Sequence, residues 1–321
     1  MNPTGGHTTE LSPDATQTAI DSVAYEEYNQ EGQPAELGVS DEAFFKQERF
    51  TSNAHIWDEY SGIPNIEEHQ EQEIVKTVDV FLGNQKVQKV KFFKNDYPIS
   101  VEAFKTDKGY IRDRIGKDVS EATRRKQKYI SIIDCLGDAF NGTNFTTPDG
   151  QAPASNSHTT LRGDTVDNLE TGAMSPDNFD TAARSLESQI GQHGDWGGNV
   201  LGGVAVPRNN YKHTKEVLNS TLIADSAENN LNIFDTDYGQ VSIKQSPLLG
   251  STFNTAESNA NTAYYLLAQN HHLVRRQLVD MELEMVEPKY TSTDSWVERV
   301  RFAEVTYFET HFGFVASNGS V

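Results

Sequence analysis

Apolar and polar residues alternate without a break from Val279 to Met285, where Val279, Met281, Leu283 and Met285 are separated by Asp280, Glu282 and Glu284. Successive side chains of a strand point to opposite faces, so this pattern predicts a half-buried strand. Trp296–Tyr307 continues in kind, with Val300 and Phe302 set against Arg299 and Arg301. Ala263–Leu267 is a compact apolar run and is predicted as another strand. Val204-Ala205-Val206 before Pro207, and the stretch from Gly239 to Pro247, each predict a strand ended by a proline, which cannot donate to a sheet ladder. After Pro207, Asn209 or Asn210 is expected to cap a short helix with Tyr211, Val217 and Leu218 as its apolar points.

A different period marks two longer helices. Val119, Ala122, Lys126, Tyr129, Ile133, Leu136 and Phe140 recur in alternating steps of three and four, the spacing of one helix face over about six turns. Asn141-Gly142 is expected to stop this helix. Arg124 and Arg125 lie off the stripe and predict an exposed or interfacial basic face. Ser175-Pro176-Asp177 supplies a cap, a proline at the first helical position and an early acid, followed by Phe179, Ala182, Ala183, Leu186 and Ile190 at helical spacing. Upstream, Ile74, Val78, Val80 and Leu82 share one parity, and Gly83-Asn84-Gln85 reads as the turn of a long hairpin over Glu73–Phe93. Its second arm carries Lys86, Lys89, Lys91 and Lys94.

Composition adds that these lysines are unusual company. The 321 residues carry a formal net charge of −20, and Met1–Phe45 contains no Lys or Arg but gathers acids that include Glu26, Glu27 and Glu31. Such a segment buries too little apolar surface to fold alone, so it is either a disordered acidic tail or is held by something else, a neighbouring subunit being the simplest holder. The acidity argues against a protein built to grip phosphates. No window approaches the roughly 20 apolar residues of a membrane span and the start lacks the features of a secretion signal, so a soluble chain made in a cytoplasm is expected, with no membrane partner.

Chemistry is sparse. The single cysteine, Cys135, sits in an apolar run and is read as an inert buried thiol. The chain has no phosphate-binding glycine loop, nucleophile elbow, HExxH helix or EF-hand loop. His271 and His272 are adjacent and make a poor ligand pair on a strand, while His158, His193 and His311 lack a neighbour at ligand spacing and are read as loop or core histidines. No catalytic residue, metal site or cofactor is expected.

Taken in order, these patterns resemble the major capsid proteins of tailed phages and related viruses, and among them the branch of the Mu-like major head subunit. The resemblance rests on Ile99-Ser100-Val101-Glu102 with Asp107-Lys108-Gly109, on the helix end and loop from Ala139 to Leu169, and on the helix from Ser175. It continues through Val204-Ala205-Val206-Pro207, Gly239–Pro247 and Tyr264-Tyr265-Leu266-Leu267. It covers about Ser100 to Val315, and it departs from the family's usual pattern at Pro207-Arg208 and Tyr264.

The resemblance implies an α+β Hong Kong 97-like capsid fold. Residues 1–49 would form an N-terminal arm, 50–97 an extended β-hairpin loop, and 98–174 a peripheral domain with a spine helix at 117–141. Residues 175–269 would form an axial domain, and 270–321 the strands returning to the peripheral domain. It further implies a structural protein, not an enzyme, that assembles into hexamers and pentamers of an icosahedral shell around double-stranded DNA touched without sequence preference. The expected location is the virion, assembled in a host cytoplasm, with a separate scaffolding protein, a portal and possible decoration proteins as partners. The acidic arm with Glu26, Glu27 and Glu31 is expected to pair with Lys86, Lys89, Lys91 and Lys94 of another copy, with Arg124 and Arg125 as further interface residues. Two other readings stand beside this one: an encapsulin-like nanocompartment shell protein, and an acidic soluble hydrolase.

Overall fold

The computed structural model describes residues 20–25, 44–63, 68, 79–100, 110–220, 234, 238, 241–286 and 295–320. In chain order the strands are β1 (Lys46–Arg49), β2 (Ala54–Tyr60), β3 (Leu82–Lys89), β4 (Lys91–Ser100), β5 (His158–Thr159), β6 (Thr165–Val166) and β7 (Leu169–Glu170), then β8 (Leu201–Pro207), β9 (Ser242–Ser246), β10 (Tyr264–Ala268), β11 (Leu273–Val286), β12 (Ser295–Phe308) and β13 (Phe314–Ser317). The helices used below are α1 (Tyr110–Ser131), α2 (Pro176–Glu187) and α3 (Arg208–Asn219), together with a short helical segment at 20–25. The chain divides into two compact units, Met1–Pro34 with Val90–Lys128 and Gln277–Glu304, and Ala35–Lys89 with Tyr129–Arg276 and Val305–Val321.

The first unit is built on the long alternating strands. β4 runs antiparallel to β12 from Ser100↔Ser295 to Lys91↔Glu304, and β11 lies on the other edge of β12. One face of this sheet is charged and exposed, with Arg299 bonded to both oxygens of Asp96 at 2.8 and 2.9 Å and Arg301 to Glu282 at 2.7 Å. The other face is apolar: Met281, Val300, Leu283 and Tyr97 meet Val119 and Ile115 of α1 and Ala24 and Tyr25 of the helical segment. The alternation read in β11 and β12 is thus realised.

The apolar stripe read for α1 is not its buried face. Its buried positions include Gly116, Val119, Ser120, Thr123, Gln127, Ile130 and Ser131, whereas Lys126 is exposed. Small residues win here because another backbone comes close. A Cβ on Gly116 would lie 3.0 Å from the Ile20 carbonyl oxygen, and the Ser120 hydroxyl donates to the Ala24 carbonyl at 2.5 Å. Ile20–Tyr25 thus packs against α1 of its own chain. The helix also begins earlier than 117, and it passes at Ile132–Gly137 into a π-helical turn before the expected stop at Asn141.

The second unit centres on a five-stranded sheet of order β7-β13-β10-β8-β9. β10 is antiparallel to both neighbours, β9 is parallel to β8, and β7 is parallel to β13. Every residue of β10 is buried. Phe179, Ala182, Ala183 and Leu186 of α2 and Val217 and Leu218 of α3 pack with Val204, Val206, Tyr264, Leu266 and Val315. The start of α2 is as expected, with the Ser175 hydroxyl accepting from the Asn178 N–H. That of α3 is not: Pro207 ends the strand and occupies the cap position, so Asn209 and Asn210 fall inside the helix. Asn210 instead turns its side chain inward and donates to the Thr262 carbonyl at 3.3 Å.

Candidate assembly surface

The hairpin is real but its strands and turn differ from those expected. β2 pairs with β3, from Ala54↔Lys89 to Tyr60↔Leu82, so Gly83-Asn84-Gln85 lies within a strand and the chain reverses between residues 61 and 81. Gly83 is glycine for space: a Cβ there would come within 2.3 Å of Leu161 and 2.9 Å of the Glu59 Cβ. The arm placed at Glu73–Val78 lies outside the described residues.

The ribbon has two unlike faces. On the inner one, Trp57 stacks on His55 at 5.0 Å and on Tyr307 at 5.2 Å, and its indole N–H donates to the Glu309 carbonyl at 3.1 Å. Arg276 bridges Glu48 and Glu309 at 2.6 and 2.7 Å and lies over the Tyr307 and Phe50 rings. Burial and the Arg276 charge hold His55 below the usual imidazole range, so its 3.8 Å approach to Glu309 is not a charge pair. Glu59 is buried, which raises its carboxyl, and it accepts from the Asn84 N–H and the Gln192 amide. Lys86 also belongs to this side, its ammonium donating to Thr146 Oγ1 at 2.8 Å and lying over the Phe145 ring.

The outer face is bare. Ile56 is paired with Val87 and Tyr60 with Leu82, and these four side chains are 57, 43, 51 and 72% exposed. Ile63, Val80, Phe81 and Phe92, near in sequence, are exposed as well. Most exposed large apolar side chains of the described residues thus fall between 56 and 92. A two-stranded ribbon is marginal by itself, and apolar side chains gathered in the open mark an interaction surface. Residues His55–Tyr60 place Ile56 beside Trp57 and Asp58 beside Glu59, so no alternation in the sequence marks this strand.

Of the residues singled out for an interface, Lys89, Lys91 and Lys94 are exposed on β3 and β4. Arg125 is exposed on α1 with its Nε donating to the Glu121 carbonyl, and Arg124 is half-buried. Glu26, Glu27 and Glu31 lie outside the described residues.

A second cluster was not foreseen. His158 and His311, read as separate loop or core histidines, stack at 4.0 Å with planes 7° apart, and His158 Nδ1 lies 2.6 Å from Asp149 Oδ2. That contact and the Thr147 hydroxyl hold the Asp149 carboxyl well below its usual range against the opposing effect of burial. His311 has no hydrogen-bond partner on either ring nitrogen, and burial keeps its imidazole neutral, down to about 3. The three ligand atoms lie within 4.8 Å of one another, as a metal would need. Coordination runs along the ring plane, however, and two parallel rings share no in-plane point, so this arrangement does not hold an ion. Cys135 is buried and in no disulfide, and no helix among the described residues is long and apolar enough to cross a membrane.

No protein-family model and no curated protein matches the chain. Solved structures do. A virus-like particle from Pyrococcus furiosus is similar over 94% of this chain and 98% of its own, with a TM-score of 0.51 at 10% identity. The structure titled Gordonia phage Cozz matches over 90 and 89%, with a TM-score of 0.53 at 15% identity. The capsid of a native GTA particle matches over 92 and 96%, with a TM-score of 0.54 at 7% identity. The chain has the α+β Hong Kong 97-like fold that such shells share.

Proposed function

We propose that this chain is the repeating subunit of a closed icosahedral shell and serves as the major capsid protein of a tailed virus, in hexamers and pentamers around double-stranded DNA. The observation that carries the reading is the bare apolar face of the β2–β3 ribbon on a chain whose fold matches shell subunits along nearly their whole length. The subunit works as a structural element: identical copies repeat one contact until the surface closes. In this reading residues 1–49 are the arm, 50–97 the loop laid on a neighbouring copy, 98–174 the peripheral domain, 175–269 the axial domain and 270–321 the returning strands. Ile56, Tyr60, Leu82 and Val87 bury against the neighbour. Lys89, Lys91, Lys94 and Arg125 meet acids of another copy, Glu26, Glu27 and Glu31 among them, while Lys86 anchors the ribbon to its own subunit. The order of motifs favours the Mu-like branch, with a separate scaffold, a portal and room for decoration proteins.

A nanocompartment shell is the second reading, since the similar Pyrococcus furiosus structure is a virus-like particle, a shell not named as the capsid of a virus. Electron microscopy of the purified protein, followed by assay for nuclease-protected DNA, tests both. Particles tens of nanometres across that shield DNA support the capsid; particles without nucleic acid support the compartment; a small oligomer overturns both.

A further inference from the structure

The first unit hides a carboxyl with nothing to hold it. Glu298 of β12 is 0% exposed, and neither of its oxygens has a hydrogen-bond partner. It shares the parity of Val300 and Phe302, so it points to the sheet face on which segment 20–25 lies. From that segment comes a second acid. Asp21 precedes Ala24 and Tyr25 by three and four residues, which puts it on the same helical face, and its Oδ1 is likewise buried and unpartnered. Buried charges are ordinarily paired, and an isolated ionised carboxylate in such a place is costly.

Among the described residues, the groups that act on this pair include no compensating cation. The segment itself contributes Asp21 and Tyr25, and Tyr25 feels Asp280 and Glu282 of β11. β4 places Tyr97 opposite Glu298. From α1, the described residues that meet the segment include Ile115, Gly116, Val119 and Ser120, none of them titratable. Among the described residues, the charge that acts on Glu298 is that of Asp21, and it is of the same sign.

We propose that Asp21 and Glu298 form a proton-operated latch: segment 20–25 is held on the sheet while at least one of the two carboxyls carries a proton, and its hold weakens as both ionise. The geometry makes this a device of the N-terminal region. Segment 20–25 is also seated by Ile20 and Ala24, both fully buried, by a hydrogen bond from Ser120 and by one between Tyr25 and the Leu283 backbone; the acid pair adds a contact whose charge changes with pH. Burial, and then Asp21, lifts the Glu298 carboxyl to about 8, and burial also raises that of Asp21. With the segment released, Glu298 faces water and returns to its ordinary value near 4.5. The docked state therefore binds more protons than the released state between about 4.5 and 8. Docking is strongest below that window, weakens about tenfold per pH unit as pH rises through it, and levels off above it. The latch does not depend on what the shell encloses.

Hydrogen–deuterium exchange of the full chain, corrected for the intrinsic pH dependence of exchange, tests the latch. Protection of residues 20–25 should fall by at least tenfold between pH 5 and pH 8, with α1 unchanged over the same range. In Glu298→Gln the protection should be independent of pH, and Asp21→Asn, which leaves the sheet untouched, should flatten the profile in part. Wild-type protection that is equal at pH 5 and pH 8 overturns the proposal. So does a Glu298→Gln or Asp21→Asn variant that retains the full wild-type pH dependence.

Discussion

The five-stranded sheet of the second unit and the β2–β3 ribbon draw on the same kinds of residue, yet their environments are opposite. In β10, Tyr264, Tyr265, Leu266 and Leu267 are all at or below 2% exposure, covered by neighbouring strands and helices of their own chain. In the ribbon, Ile56, Tyr60, Leu82 and Val87 make equally good cross-strand pairs and remain open. Pairing by itself therefore does not complete a sheet. The five-stranded sheet finds its covering layer within the chain, and the ribbon leaves one face for something else to cover.

The largest effect should come from charging the open face. A double change, Ile56→Lys with Leu82→Lys, should leave the melting of the unassembled subunit unaltered and abolish particles in sedimentation and electron microscopy. Burying each side chain is worth about 1.5–3 kcal/mol, and the loss recurs at every contact of a shell. Normal particles from this variant would break the comparison. Leu266→Ala in β10 is the mirror experiment: it should destabilise the isolated subunit in urea by about 2–5 kcal/mol, because it opens a cavity in a core that cannot collapse around it.

Next in size is an acid limb that belongs to the second unit alone. His311 is neutral and buried when folded but free to protonate when unfolded, so below pH 6.5 the unfolded chain binds the extra proton. His311 alone should therefore lower stability as pH drops from 6.5 towards 3, by about 1.4 kcal/mol per unit at most, and His271 and His272, whose imidazoles burial also lowers, add to the same limb. The lowered Asp149 carboxyl adds its own loss below its ordinary value of 3.8. Replacing His311 by Phe, which keeps the stack on His158, should flatten the limb between pH 4 and 6.5 in denaturant titrations; an unchanged limb would place its cause elsewhere.

What the sequence disclosed divides along the same line. Where one face meets apolar side chains of the same chain, the periodicity was legible: β10, β11, β12, the Ser175 cap and the buried face of α2 all stand where pattern and turn chemistry put them. It misled where a close backbone decides. α1 buries Gly116 and Ser120 because segment 20–25 crosses there, and small side chains carry no hydrophobic signal. Gly83 looked like a turn because a glycine made for close approach and one made for a turn are the same letter. The pairing of His158 with His311 joins distant segments, and no local spacing announces it.

The smallest effect concerns charge around the ribbon. Lys89, Lys91 and Lys94 are exposed, and exposed ion pairs contribute roughly 0–1 kcal/mol each and fade as salt shortens the screening length. Changing the three to alanine should therefore leave subunit melting within about 0.5 kcal/mol, since no buried partner is lost. If acids of a neighbouring copy face them, particles of the variant should lose the salt dependence of wild-type particle stability and keep the apolar part of their contacts. Deleting Met1–Ser40 should then act on the salt dependence in the same direction. The deletion also removes Ile20 and Ala24 from the first unit, so its effect on subunit melting must be measured alongside. Wild-type particles equally stable at low and high salt would assign the neighbour contact to Ile56, Tyr60, Leu82 and Val87 alone.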